Sequence, residues 1–300
     1  MAIRVAVANP KGGVGKSTTT LLMSEGLALF YGQRVLVLDM DPQAMTTKIL
    51  IGAGAMNELR AAKQGLATIL GGWAKGQPVS LLDHRVMASD LIELNDEGDH
   101  GCIHLIPSNH ELLRDASALE YSLRQLKSFQ RVDVTLAALL NTELKQLDKQ
   151  YDVIIFDCPA GPVPLALASI RLADHIIAPT NLEENSYSTL ADFLRLILED
   201  DLHLADKIKV HVLISMFQGT NRIQQKMLYQ IQCGMFKINA IERPVPMMTA
   251  IQRAQHHAGP GVFRTARDKY DFALKEVQSL ARSIYQRLDL AKVRIIRTIL

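Results

Sequence analysis

A ten-residue loop near the start of the chain combines two lysines, three glycines and two hydroxyl side chains. In order, it reads Asn9, Pro10, Lys11, Gly12, Gly13, Val14, Gly15, Lys16, Ser17 and Thr18. Glycines let backbone N–H groups turn toward an anion, lysine ammonium groups neutralise it, and a neighbouring hydroxyl is a ligand for Mg²⁺. The loop therefore predicts a site for a phosphorylated ligand together with a magnesium ion.

The segments on either side of the loop suit such a site. The apolar residues 3–8 predict a buried strand before it, and the helical periodicity of residues 19–30 predicts a helix after it. The N-terminus of that helix adds partial positive charge to the loop. In this setting Lys16 can reach the β- and γ-phosphates, Ser17 can bind Mg²⁺, and Thr18 can hydrogen-bond to a phosphate.

Two further apolar runs end in carboxylates. Residues 153–156 are followed by Asp157, and residues 35–38 are followed by Asp39 and, two positions later, by Asp41. Mg²⁺ that is bound together with phosphates needs few protein oxygens, because the ion keeps several waters. Besides the Ser17 hydroxyl, the magnesium site is expected to need a carboxylate at the end of a neighbouring strand. Asp157 occupies such a position.

The loop departs from the regular phosphate-binding pattern, since Pro10 stands where that pattern has a glycine. The arrangement present, Lys-Gly-Gly-x-Gly-Lys-Ser-Thr, resembles the deviant Walker A loop of the ParA/MinD family of P-loop ATPases. The resemblance implies ATP and Mg²⁺ as cofactors and a homodimer that forms with ATP. It also implies that Lys11 reaches across the dimer to the partner's nucleotide, where charge develops during phosphoryl transfer.

The resemblance extends to the acidic strand ends. Asp157 looks like the Walker B aspartate, and the Asp-x-Asp-Pro-Gln sequence beginning at Asp39 resembles the first switch of ParA proteins. This implies that Asp41 orients the water that attacks the γ-phosphate, and that Asp39 belongs to the magnesium surroundings. The predicted catalytic residues are Lys11, Lys16 and Asp41, and the predicted metal site is Ser17, Asp39 and Asp157.

Softer matches follow later in the chain in the family's order. They are the Pro-Ser-Asn sequence at 107–109, Pro179 with Glu183, and the segment at 245–260. By this analogy Pro246 and Met247 lie near the adenine base. The predicted nucleotide-binding residues are therefore Lys11, Gly12, Gly13, Val14, Gly15, Lys16, Ser17, Thr18, Pro246 and Met247.

The rest of the pattern predicts the fold class. Strand-like apolar runs at 34–41, 103–107, 153–157, 175–179 and 210–217 alternate with longer helical patterns. Such alternation indicates an α/β fold with a mostly parallel central sheet and helices on both faces. We expect a single P-loop NTPase domain over residues 1–300. It would contain an irregular insertion at about 47–101, read as a short helix with connecting loops, and C-terminal helices at about 264–300.

Charge is unevenly distributed along the chain. Residues 221–300 hold 14 Lys and Arg against 5 Asp and Glu, whereas residues 1–220 hold 19 against 26. A basic C-terminal part is either an ordinary solvated surface or a face for DNA phosphates. ParA-type arginines that touch DNA are missing from their usual places, so the candidate DNA contacts are other cations: Arg222, Arg253, Arg264, Arg267 and Lys269.

The resemblance to ParA proteins, together with the basic C-terminal part, implies a partition ATPase that binds DNA non-specifically and is stimulated by a ParB-like partner to segregate a plasmid or chromosome. Three scattered cysteines, and no visible secretory leader or membrane span, predict a cytoplasmic protein. The DNA binding that the resemblance implies adds the expectation that it is nucleoid-associated. Two alternatives keep the same core: a MinD-like protein that binds membrane through the amphipathic residues 291–300, and a ParA-like positioner of a protein cargo. A metabolic ATP-dependent ligase or reductase is a weaker one.

Overall fold

A computed structural model describes residues 1–88, 101–126, 131–200, 208–233, 240–256, 262–263 and 265–291. Seven strands form one sheet in the order β3-β4-β2-β5-β1-β6-β7. The strands are β1 (Ile3–Val7), β2 (Arg34–Asp39), β3 (Val86–Met87), β4 (Cys102–Ile106), β5 (Val153–Asp157), β6 (His175–Thr180) and β7 (Lys209–Ile214). All neighbouring pairs are parallel except β3 with β4 at the edge.

Eleven α-helices cover the sheet in the described part of the chain. They are α1 (Lys16–Tyr31), α2 (Met45–Ala61), α3 (Leu66–Ala74), α4 (Leu112–Leu126), α5 (Val132–Leu147), α6 (Pro164–Leu172), α7 (Glu184–Asp200), α8 (Arg222–Gln232), α9 (Thr249–His256), α10 (Ala266–Tyr270) and α11 (Leu274–Arg287). Short 3₁₀ turns occur at Leu81–His84 and Asp271–Ala273. None of the helices described is long and apolar enough to cross a membrane.

The sheet is buried on both faces, which explains the continuous apolar runs in its strands. Helices α3 to α8 contribute to the core on one face, and α1, α2 and α9 to α11 contribute to the core on the other. The predicted α/β P-loop NTPase fold, with a mostly parallel sheet and helices on both faces, is confirmed.

The region from residue 47 is more regular than predicted, because its described part to residue 88 contains most of α2, all of α3, a 3₁₀ turn and the edge strand β3. Its glycines have structural uses besides ending helices. Gly52 lies at a kink within α2, with φ 82°. Gly65 has φ 123°, and a Cβ there would lie 2.5 Å from the carbonyl oxygen of Pro107. This close approach lets the first turn of α3 pack against the loop after β4.

Helix α1 follows the glycine-rich loop and is central to its side of the sheet. Its Glu25 is fully buried, and its carboxylate accepts hydrogen bonds from Lys269 (2.5 Å) and from the Tyr270 hydroxyl (2.6 Å). Gly26, the next residue, lies against Ala281 of α11. The absence of a side chain at Gly26 allows the two helices to approach closely, so α11 holds α1 in place beneath the loop.

We therefore expect Gly26→Ala to destabilise the protein. The added Cβ would lie 2.7 Å from the Ala281 Cβ, and the strain of overpacking, about 1–3 kcal/mol, outweighs the helix-propensity gain of about 0.5–1 kcal/mol. Gly54→Ala in α2 is the matched control, because a Cβ there meets nothing within 4 Å. Urea unfolding should show a lower midpoint for Gly26→Ala alone. Equal stabilisation of both variants would contradict the packing described.

Candidate functional site

The glycine-rich loop forms an open, concave backbone surface between β1 and α1. Gly13 and Gly15 have φ values of 73° and 87°, which disfavour other residues. A Cβ at Gly12 or Gly13 would meet nothing within 4 Å. Helix α1 begins at Lys16, so its first N–H groups lie next to this surface. The loop thus has the geometry of an anion cradle at a helix N-terminus.

Side chains that follow β1 and β7 hold the loop in this shape. The buried Asn9 amide donates to the carbonyl of Pro179, near the end of β6 (2.8 Å), and its oxygen accepts from the Lys11 N–H (2.8 Å). The Ser215 hydroxyl, which follows β7, donates to the carbonyl of Val14 (2.7 Å). The loop is therefore tied to β6 and β7 as well as to its own strand.

Lys16 lies inside the cradle. Its ammonium group donates to the carbonyl oxygen of Lys11 at 3.1 Å, and the residue is 8% exposed. Burial lowers the pKa of Lys16, while the nearby Asp157 and Asp41 oppose that shift. A phosphate in the cradle would give this cation a charged partner in place of a carbonyl dipole.

The two buried carboxylates are adjacent because β2 and β5 pair in parallel, with Asp39 opposite Asp157. Asp157 accepts hydrogen bonds from the hydroxyls of Ser17 (3.0 Å), Thr20 (3.1 Å) and Thr46 (2.5 Å). Burial is the main cause that raises the Asp157 pKa to about 6, and the three hydroxyls oppose it. Of these hydroxyls, only Ser17 was predicted from the sequence.

Asp39 is held in the same way by the first turn of α2. Its carboxylate accepts from the backbone N–H (2.8 Å) and the hydroxyl (2.7 Å) of Thr47, and from the Asp41 N–H (3.1 Å). Burial, followed by the charge on Asp157, raises the Asp39 pKa to about 8. Two desolvated carboxylates beside a hydroxyl form a donor set that fits a hard divalent cation such as Mg²⁺.

Asp41 lies just beyond this pair and lines a cavity of about 710 Å³ together with the glycine-rich loop. Its side chain accepts from the Gln43 N–H (2.8 Å), and its carbonyl accepts from the Ser108 hydroxyl (2.8 Å). Ser108 also donates its N–H to the Thr47 hydroxyl (2.8 Å). The Pro-Ser-Asn sequence after β4 thus supports the segment that carries Asp41.

The predicted base-binding residues line a second cavity of about 130 Å³ next to the first. Pro246 and Met247 form its wall together with Met216 and Met248, and the Thr18 side of the loop closes it. The structure therefore brings the residues at 246–247 beside the loop at 9–18, although more than 200 residues separate them.

The Lys11 backbone is part of the cradle, but its side chain extends away from it. Its ammonium group makes an ion pair with Glu183, between β6 and α7, at 2.8 Å. Both side chains are partly exposed, at 34% and 58%. Within one chain, Lys11 is therefore directed toward Glu183 and the protein surface, whereas Lys16 occupies the cradle.

The candidate DNA contacts differ in their exposure. Arg222, Arg253 and Arg267 are exposed, although Arg253 also donates to the carbonyl of Asp268 (3.1 Å). The expectation for Lys269 is wrong, because this lysine is 6% exposed and pairs with the buried Glu25. Arg264 lies outside the described residues.

A family model described as an AAA domain (AAA_31) matches residues 2–210, which is more than half of the chain. The chain belongs to this family. The chromosome-partitioning ATPase Soj of Thermus thermophilus is similar to it, with 26% identity over 230 residues, covering 76% of this chain and 75% of Soj. The chain is a P-loop ATPase of the ParA/MinD family, as the loop at 9–18 indicated.

Two solved structures share this family member's fold. A plasmid partition protein from Borrelia burgdorferi bound to AMPPNP has a TM-score of 0.67 and 20% identity, covering 96% of this chain and 100% of that one. Cobyrinic acid a,c-diamide synthase from Mycobacterium smegmatis, with bound ADP and magnesium, has a TM-score of 0.61 and 22% identity, covering 86% and 92%. At these identities the likeness concerns the fold.

The role of Thr47 in this ATPase fold can be tested by stability. Replacing Thr47 with Val removes a hydroxyl that donates to Asp39 and accepts from Ser108. Leaving buried polar groups unpaired costs about 1–3 kcal/mol each. Thr47→Ser keeps the hydroxyl and loses one methyl, worth about 0.8 kcal/mol. Urea unfolding at pH 7 should therefore rank Thr47→Val below Thr47→Ser. Equal stability of the two variants would mean that the network is not needed.

Proposed function

We propose that this P-loop ATPase binds ATP with Mg²⁺ in the cradle and dimerises when it does so. As an ATP-bound dimer it binds DNA without sequence preference. A ParB-like partner then stimulates hydrolysis and release, which moves a plasmid or chromosome. The observation that carries the proposal concerns the two loop lysines. Lys16 lies in the cradle, whereas Lys11 is directed out of it.

The residues divide the work of phosphoryl transfer among them. Lys16 and the loop N–H groups would hold the β- and γ-phosphates, and Ser17, Asp39 and Asp157 surround the place for the metal. Mg²⁺ neutralises phosphate charge and fixes the phosphate oxygens when it is bound. Asp41 lines the same cavity as Lys16 and would orient an attacking water. Pro246 and Met247 would contact the adenine base.

Lys11 gives the proposed reaction its dependence on a dimer. Its partly exposed ion pair with Glu183 is of a kind that contributes at most about 1 kcal/mol. In a dimer, Lys11 would exchange the Glu183 carboxylate for phosphate oxygens of the partner's nucleotide. Turnover by one chain alone would lack this cation at the transition state, and the intrinsic ATPase activity would accordingly be slow.

The proposed DNA contact rests on the basic C-terminal part. Arg222 and Lys226 lie one turn apart on α8, and both are exposed. Arg253 and Arg267 provide further exposed cations. Such a surface suits phosphate contacts, which carry no sequence information. The MinD-like alternative depends on residues 291–300, of which 292–300 lie outside the described residues.

DNA binding can be tested by measuring affinity for an unrelated duplex with ATP and Mg²⁺ at several salt concentrations. We expect ATP-dependent binding. The logarithm of the association constant should fall linearly with the logarithm of the salt concentration, because each phosphate contact contributes about −0.9 to the slope. Arg222→Ala should remove one phosphate contact and so make the slope less steep by about 1. Arg114→Ala, an exposed arginine of α4, is the matched control and should not. Absence of binding at low salt with ATP and Mg²⁺ would contradict this function.

A further inference from the structure

The two cavities at the glycine-rich loop are parts of one groove. Four residues line both the cavity of about 710 Å³ and the cavity of about 130 Å³, and they mark the place where the cavities meet. These residues are Gly15, Thr18, Met216 and Gln255. A ligand that occupies both cavities must pass over this junction.

Gln255 is the junction residue that comes from outside the loop and has a side chain able both to donate and to accept hydrogen bonds. Its side-chain N–H donates to the Thr18 hydroxyl at 2.7 Å. Gln255 is the penultimate residue of α9, and the adjacent Ala254 is fully buried in the core. The backbone that carries the Gln255 amide is therefore anchored, and the amide is held at the junction by Thr18.

Met216 forms the opposite side of the junction. It has φ 54°, a left-handed conformation that is unfavourable for a side chain as large as methionine. It directly follows Ser215, whose hydroxyl is bonded to the loop at Val14. Strained backbone of this kind is frequent where a ligand is held. The junction thus has an apolar side at Met216 and a polar side at Thr18 and Gln255.

We propose that Gln255 binds the ribose of the nucleotide through its side-chain amide. The inference rests on the proposed function, in which phosphates occupy the cradle and the base lies against Pro246 and Met247. The sugar then lies between these two places, at the junction. Ribose hydroxyls both donate and accept hydrogen bonds, and the amide of glutamine complements them because it carries a donor and an acceptor.

The Gln255 side chain also contacts the glycine-rich loop. In the described structure its amide is bonded to Thr18, in the loop, so sugar binding would exchange or share this bond. A purely structural role for Gln255, in which it only orients Thr18, predicts a different outcome. Its removal would then weaken every nucleotide equally, whether or not the sugar carries its hydroxyls.

The test compares the dissociation constants of ATP, 2′-deoxy-ATP and 3′-deoxy-ATP with Mg²⁺ by titration calorimetry. One net hydrogen bond corresponds to about 3- to 10-fold in affinity, so the unsubstituted chain should prefer ATP over at least one deoxy analogue by this factor. In Gln255→Leu the ATP affinity should fall by a similar factor and the preference should disappear. Gln286→Leu, at an exposed position on α11, is the matched control and should keep the preference.

A second variant, Gln255→Ala, removes both the donor and the acceptor and suits a helix. It should also lose the preference, and it replaces Gln255→Leu in the comparison if circular dichroism shows that Gln255→Leu does not fold. Equal weakening of all three nucleotides, or an unchanged preference in the folded variants, would overturn the inference while leaving the ATPase function intact. Absence of ATP binding by the unsubstituted chain would overturn both.

Discussion

The burial of two carboxylates side by side is the constraint on which the site depends. Asp39 and Asp157 lie opposite each other at the ends of β2 and β5, and both are almost completely removed from water. A buried charge is costly unless it is paired and hydrogen-bonded. Here the donors come from two helices: Ser17 and Thr20 from α1, and Thr46 and Thr47 from α2. The pair therefore joins the helix after the phosphate cradle to the helix after the first acidic strand end.

This arrangement connects the carboxylate pair to the loops around the cradle. Any ligand that changes the charge at Asp39 and Asp157 changes the balance of hydrogen bonds that position α1 and α2. The segment carrying Asp41 precedes α2 directly and is fastened to the loop after β4 through Ser108. Hydrogen bonds thus connect the glycine-rich loop, the segment that carries Asp41 and the loop after β4. Lys11 differs from Lys16 and Ser17, because it pairs with Glu183 at the protein surface, where both side chains are partly exposed.

Much of this site could be predicted from local sequence. A glycine-rich loop between a strand and a helix, and aspartates at strand ends, are patterns of neighbouring residues, and parallel pairing brings them together. Thr20 could also be predicted, because it lies three residues after Ser17 and therefore on the same face of α1. Thr47 and Ser108 were not, because their hydrogen bond joins residues 61 positions apart.

The errors have the same origin. Lys269 was counted with the basic surface, but its partner Glu25 is 244 residues away and no composition count shows that both are buried. The insertion predicted at 47–101 is the second case, because Gly65 permits close packing against Pro107 and Gly52 lies at a kink within α2, so helices occur where loops are expected. Long-range packing decides burial, and a single sequence reports it poorly.

The most direct test of the account is the oligomeric state with Mg²⁺ and a slowly hydrolysed ATP analogue, measured by sedimentation velocity for three chains. The unsubstituted chain should form a dimer with the analogue and remain a monomer with ADP. Lys11→Ala should bind the nucleotide but stay monomeric, and Lys16→Ala should lose nucleotide binding itself. A normal dimer of Lys11→Ala, with normal turnover, would contradict the assignment of Lys11 to the partner's nucleotide.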